Sequence, residues 1–352
     1  MRRLSSGVFN VSYLQEMMVF RTLSHRVWLL VFLILLFLIP LFAKPYWLDI
    51  LSTIAVTVIA LQGLNILSGY CGQISIGHTA FMAVGSYTSA ILSGQVGVPF
   101  WLCLPCAGIG AGLTGLFFGL SSLKVRGFYL ALTTIAAQFI IIYLIRTPFP
   151  EVTGGAIALQ VPEISLGGFA LNTEIRLYYL VMVFTIFMTF LSTNLVRSHI
   201  GRAFIAIRDN EIAAEAMGIN LYHYKLLAFF LGCFYAGIAG SIWSVYVKVI
   251  SPDDFTLMGS IWQVGMLIIG GMGSMLGPFF GAIFIKALNE IVVIAGPMIT
   301  SLVPQIKAQV SAALIEMAFG FILVLFLIYS PRGIAHRWEI LKESYRLWPF
   351  SY

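Results

Sequence analysis

Long apolar runs separated by brief polar ones dominate this sequence, and the runs show neither the two-residue alternation of a half-buried strand nor a wide polar stripe at helical spacing. Ten of them read as helices, near 27–43, 46–67, 78–94, 98–120, 127–146, 177–196, 224–247, 258–271, 277–296 and 308–329. Crossing a bilayer core takes about 17–25 apolar helical residues, and only the eighth run is short for that. The expected fold class is all-α: a polytopic helical membrane protein of about ten transmembrane helices, nine and eleven being the neighbouring counts. An even count places both chain ends on one side.

Two stretches interrupt the pattern. Leu64 to Ser89, LNILSGYCGQISIGHTAFMAVGSYTS, is punctuated by Gly69, Gly72, Gly77 and Gly85 and carries Asn65, Gln73, Ser75, His78 and Thr79. It has no Lys or Arg to mark an aqueous loop, so an unwound or re-entrant segment is expected. Irregular backbone at membrane depth is tolerated only where protein buries it or it lines a water-filled cavity. Gly265 to Gly281, GMLIIGGMGSMLGPFFG, repeats the spacing loosely, Gly69 and Gly72 aligning with Gly270 and Gly273, and Gly77 with Gly277. Gly-broken segments in comparable positions of two halves mark a transport path. Gly69, Gly72, Gln73, Ser75, Gly77, His78, Gly270, Gly273 and Gly277 are therefore candidate path residues. Helix packing by small residues explains the same glycines, and His78, with no carboxylate within a turn or two, also reads as a satisfied interior histidine.

The most polar run between apolar spans is Ser198 to Tyr224, SHIGRAFIAIRDNEIAAEAMGINLYHY. A short helical piece over Arg202–Arg208 leads to Asp209 and Asn210, whose side chains are N-cap acceptors. Glu211 and Glu215 fall in a second short helix, which Gly218 is placed to end in the left-handed conformation. Ile212, Ala216 and Ile219 share one face, with Ala213 and Met217 beside them. A solvated loop has this composition, and so does a docking element for a soluble protein.

Composition sharpens the membrane reading. Hydrophobic residues make up 60% of the 352 and charged ones 10%, against about half and a quarter in a soluble domain; mean hydropathy is +0.96. With the N-terminus inside, 14 of the 20 Lys and Arg fall on the inner side and five outside, with Lys286 inside a span. That bias places both termini in the cytoplasm, and the net charge of +6 faces anionic lipid instead of nucleic acid. Arg2, Arg3, Arg21 and Arg26 precede a first span too long for a signal core and without a small-residue cleavage site, so it is expected to stay as an anchor. The chain divides into a cytoplasmic segment 1–26, a transmembrane domain 27–330 with an inner loop 198–224 and an outer loop 147–176, and a cytoplasmic tail 331–352. Residues 13–20 suit an interfacial helix, and Trp338 and Trp348 suit the headgroup level.

Little in the chain suggests chemistry of its own. Cys71, Cys103, Cys106 and Cys233 sit in apolar or Gly-rich surroundings, and the CxxC at Cys103 has no second ligand pair, so packing thiols are expected. Lys286 and Glu290, four apart, can neutralise each other, leaving Glu316 alone in the last span; an ion-coupled route needs successive carboxylates or histidines. There is no GxxxxGK[ST], HExxH or GxSxG. No catalytic residue, cofactor or metal site is expected on this chain, and the driving energy has to enter from elsewhere.

The pieces LNILSGYCGQISIGHTAFMAVGSY, GRAFIAIRDNEIAAEAMGINLYHYK and LIIGGMGSMLGPFFGA, in this order between about Leu51 and Pro331, resemble the permease subunit of branched-chain amino-acid ABC importers, the LivM-type chain. The resemblance implies a bacterial inner-membrane heterodimer with a second, homologous permease chain. It also implies two soluble ATPase subunits, which hold the ATP and Mg, and an extracytoplasmic solute-binding protein that delivers leucine, isoleucine or valine. In that family the loop matched by Gly201–Gly218 meets the ATPase, which makes Arg202, Arg208, Asp209, Asn210, Glu211, Glu215 and Gly218 the coupling candidates. Related permeases carry urea, short amides or other small organic solutes, so the solute stays open. The alternative of a different class is an ion-coupled secondary carrier acting alone; a membrane scaffold leaves both Gly-broken segments unexplained.

Overall fold

A computed structural model describes residues 23–123, 127–148, 150–155, 157–162, 165–166, 169–170, 173–302, 308–330 and 332–347. The interfacial helix expected at 13–20, Trp348 and the side chain of Glu316 lie outside the described residues. Each of the ten apolar runs is a helix: α1 (Leu23–Phe42), α2 (Pro45–Leu64), α3 (His78–Gly94), α4 (Phe100–Gly119), α5 (Phe128–Arg146), α6 (Glu174–Arg197), then, past two short helices of the polar run, α7 (His199–Asp209) and α8 (Glu211–Ala216), the long α9 (Leu221–Val247), α10 (Leu257–Gly270), α11 (Gly277–Leu302) and α12 (Ala308–Tyr329). The tail, read from sequence only as a headgroup-level segment, forms a further helix, α13 (Gly333–Leu347). The strands among the described residues are two-residue pieces; one pair joins Leu159–Gln160 to Val249–Ile250.

Among the described residues, five of these helices are long and apolar enough for a full crossing: α2 with its extension to Tyr70, α4, α5, α6 and α9. A sixth arises if 319–329 of α12 and 333–342 of α13, which meet at 46°, count as one bent span. The helix α3 has 17 residues and α10 has 14, because both start or stop at an irregular segment.

In α2, 78% of the apolar stretch is buried and in α9 67%, against 33% in α6, so α2 and α9 are the axis of the bundle. Apolar side chains gain nothing by leaving lipid for one another, so close approach of backbones has to hold such helices together. The glycines of α9 serve this. A Cβ on Gly63 would stand 2.5 Å from the Gly232 carbonyl oxygen, and one on Gly240 would stand 2.0 Å from that of Met82. Three of the cysteines are buried packing thiols as expected; Cys106 faces outward.

Candidate functional site

The helix α2 does not end cleanly. Its last turn widens into a π-helical stretch, Asn65–Tyr70, and the chain then runs without regular structure until α3 starts at His78. Gly72 takes a positive φ of 74° at the turn, a conformation that costs glycine nothing. The second interrupted stretch breaks in the same way between α10 and α11, with Gly271 at φ 113° and Gly273 at φ 76°. Both expected breaks are present.

The two breaks touch. Asn65 donates from Nδ2 to the Ser274 carbonyl at 2.8 Å, and its Oδ1 accepts from the Gly273 N–H at 2.8 Å. A Cβ on Gly69 would lie 2.1 Å from that Asn65 oxygen and 2.6 Å from the Gly273 nitrogen, so only glycine fits there. The Gly69 carbonyl in turn accepts from Arg208 Nη1 at 3.1 Å, and a Cβ on Gly273 would meet the same guanidinium nitrogen at 2.8 Å. Three stretches far apart in sequence, two Gly breaks and the polar run, meet on one arginine.

The polar run is a pair of helices in a fixed order of caps. Ser198 accepts from Ile200 N–H to start α7 (3.2 Å), and Asn210 both follows α7 and accepts from Ala213 N–H to start α8 (3.1 Å). Asp209, expected to share the capping, instead takes the Arg208 guanidinium at 3.0 Å. Gly218 adopts φ 86° after α8, the left-handed stop the sequence predicts. Phe204, Ile207 and Ala214 are buried, pinning both helices to the bundle.

The charges of this pair point in two directions. Glu211 faces inward and holds Lys225 of α9 at 2.7 Å, the lysine side chain being 4% exposed; a buried ammonium group needs such a partner. Arg208 likewise reaches into the protein. Arg202 and Glu215 stand on the exposed side, with Ile212 at 75% and Met217 at 84% exposure between them. Of the coupling candidates, then, Arg208 and Glu211 tie the helix pair to the bundle, and Ile212 and Met217, which helical spacing set on or beside one apolar face, stand open.

The remaining path candidates split into two groups. Gly270 and Gly277 bring α10 against α11: a Cβ on Gly270 would be 2.0 Å from the Gly277 carbonyl oxygen. Along the unwound segment Gln73, Ser75 and Gly77 are buried while Gly72 and Ile74 are exposed, so the strip has one closed and one open edge. His78 donates from Nε2 to the Ala60 carbonyl at 3.0 Å, the interior-histidine alternative, although its Nδ1 and the Ser75 hydroxyl are buried without a hydrogen-bond partner among the described residues.

Sequence reading missed the hub beside them. Gln138, 2% exposed in α5, accepts from Ala80 N–H (3.0 Å), Thr79 (3.2 Å) and Ser260 (3.2 Å) and donates to the Phe255 carbonyl (2.7 Å). It thereby ties the start of α3 to the start of α10, the two helices that adjoin the breaks. The signal was a lone amide in an otherwise apolar run, IAAQFIII, a residue type that is expensive in a membrane interior unless bonded. Lys286 and Glu290 pair at 3.5 Å as expected, with the Tyr46 hydroxyl donating to the same carboxylate.

Residues 46–329, which include both breaks, the helix pair and the Gln138 hub, match the family described as branched-chain amino acid transport system / permease component. The chain belongs to this family. It is a multi-pass membrane transport subunit and not an enzyme. The permease is 29% identical over 295 residues to the high-affinity branched-chain amino acid transport system permease protein LivM of Escherichia coli, covering 77% of this chain and 69% of that one. It is 26% identical over 297 residues to the LivH permease protein of Salmonella typhimurium, covering 80% and 91%. It is also 24% identical over 253 residues to the ribose import permease protein RbsC of Haemophilus influenzae, covering 69% and 76%. No solved structure gives a significant match.

Proposed function

We propose that this permease is one of two homologous chains in an ATP-driven importer of leucine, isoleucine and valine, seated in the bacterial inner membrane with both termini in the cytoplasm. Two ATPase subunits, with their ATP and Mg, dock on α7 and α8, and an extracytoplasmic solute-binding protein delivers the amino acid at the opposite face. The single observation that carries the coupling is the bond from Arg208 to the Gly69 carbonyl beside Gly273. Any displacement of α7 reaches both Gly breaks through that one side chain. Through Glu211 and Lys225, a displacement of α8 reaches α9, the axis of the bundle.

In this mechanism Ile212 and Met217, together with Arg202 and Glu215, form the face that an ATPase groove accepts, as amphipathic helices are commonly bound. Closure of the ATPase pair shifts α7 and α8 and tips the permease between outward- and inward-open forms. Solute biases that equilibrium only through its differential affinity for the two. The open edge at Gly72 and Ile74 is the part of the break offered to a zwitterion, and the apolar walls suit a branched side chain.

Similarity to a ribose permease supports a second reading in which the mechanism stands and the solute is another small organic molecule. Uptake of labelled leucine into vesicles containing the reconstituted complex decides both points. The proposal requires uptake that depends on the ATPase subunits and ATP. Uptake by this chain alone, driven by a proton or sodium gradient, refutes it, and transport of a different solute under ATP dependence selects the second reading.

A further inference from the structure

A cavity of about 570 Å³ opens beside the contact between the breaks, within the ~300–1,000 Å³ range of small-molecule sites. The start of α13 supplies its charged wall, Arg332, His336 and Glu339, with Arg208 across from them, and Ile268 and Met272 add apolar surface. Arg332 Nη1 donates to His336 Nε2 at 3.5 Å, which fixes the guanidinium in one corner of the cavity. Arg208 is already engaged by Gly69 and Asp209. Neither Arg332 nor Glu339 has an ion-pair partner among the described residues.

Arg332, the residue before α13, and Glu339, two turns into it, line the same cavity and form no ion pair with each other, so one wall offers a cation and an anion at once. An anion alone would leave Glu339 opposed to it, and a cation alone would face the arginines. We infer that this cavity is a binding site for a free α-amino acid with an apolar side chain: carboxylate on Arg332, which His336 orients, ammonium on Glu339, side chain against Ile268 and Met272. The occupant bridges α13, the second break and the neighbourhood of Arg208. Gly333 of α13 already packs on Gly271, where a Cβ would be 2.4 Å from its Cα, so the bound amino acid staples the break in the arrangement seen here. Resting on the proposed orientation and solute, the site lies on the cytoplasmic side, and its occupation by imported amino acid slows further import.

The test is equilibrium binding of labelled leucine to the full-length chain in detergent, with competition by isovalerate, which lacks the amine, and isoamylamine, which lacks the carboxylate. Wild type should bind, and both fragments should compete at least tenfold more weakly than unlabelled leucine. Arg332→Gln and Glu339→Gln should each weaken binding at least tenfold while leaving the melting temperature unchanged, and Arg332→Lys should recover part of the loss. In vesicles of the complex, leucine preloaded on the α13 side should slow initial uptake severalfold in wild type and not in Glu339→Gln, with uptake into unloaded vesicles equal in the two. Absence of binding, binding indifferent to both substitutions, isovalerate competing as well as leucine, or displacement by phosphatidylethanolamine overturns the inference. Leucine uptake without this binding sinks the site and leaves the transport reading intact; binding lost in both variants without leucine uptake does the reverse.

Discussion

Removing the Glu211 carboxylate tests which way the helix pair faces. Its partner Lys225 is 4% exposed and the glutamate 21%, so Glu211→Ala strands an ammonium group inside the protein. Breaking a buried pair by deleting one member costs about 3–5 kcal/mol, and with Glu211 partly wetted the lower figure applies, about 3 kcal/mol. If that loss is expressed as local opening of α8, amide exchange rises by up to about 100-fold, at 1.4 kcal/mol per factor of ten. The reporting amides are those of Ala214, Met217 and Ile219, held by the carbonyls of Asn210, Ala213 and Ala214. Hydrogen exchange read by mass spectrometry on the permease chain alone, in nanodiscs, measures it. Glu215→Ala, on the exposed side, should leave the exchange unchanged, and the double substitution Glu211→Met with Lys225→Met should restore protection, since apolar replacement of a buried pair is often neutral or better. The reasoning is refuted if Glu211→Ala changes exchange in the isolated chain by less than about threefold while abolishing ATPase binding, for the carboxylate would then serve the partner and not the interior.

Three further outcomes follow from the same contacts. Gly69→Ala drives a methyl group into Asn65 and Gly273, and should abolish ATP-dependent uptake while ATPase subunits still co-purify with the complex. Gln138→Leu strips the Phe255 carbonyl of its donor; at ~1–3 kcal/mol for an unsatisfied buried group, and nearer ~0.6 kcal/mol by the average found for bonds between membrane helices, the melting temperature should fall by a few degrees, and Gln138→Glu should not restore it. Ile212→Ser with Met217→Ser alters only exposed side chains, so stability should stay within about 0.5 kcal/mol, whereas ATPase affinity, measured by titration against immobilised complex, should drop at least tenfold.

Much of the scaffold was readable because a bilayer leaves few choices. A run such as 308–329 must close its backbone bonds internally and so must be a helix, and its bounds in the structure are the bounds of the run. Glycine spacing located both breaks for a similar reason, since positive φ at Gly72, Gly271 and Gly273 is a property that the residue type announces. Orientation of polar side chains was not readable. Arg208 and Glu211 sit in the most polar run of the chain, which predicts exposure, and only Lys225, counted in sequence as one more inner-side charge, reveals that Glu211 turns inward. The helix α13 was missed because its charges read as a headgroup-level tail, whereas Ala335 is buried and Ile334 and Trp338 pack on the bundle, the latter against Phe280, beside the Gly333–Gly271 contact.

The two explanations weighed for the glycines, close packing and an irregular path, turn out not to compete at the first break. Gly69 is packed to contact, and for that reason its carbonyl stands bare in front of Arg208. A larger residue at Gly72 or Gly273 would press on the Arg208 side chain that reaches the backbone, and one at Gly69 would press on Asn65 and Gly273. Among the path candidates this separates Gly270 and Gly277, whose tight contact fixes α10 on α11 as one body, from Gly69, Gly72 and Gly273, which surround the arginine. In the proposed mechanism, force applied to α7 would therefore arrive at the two breaks, where the backbone has few regular hydrogen bonds to resist it.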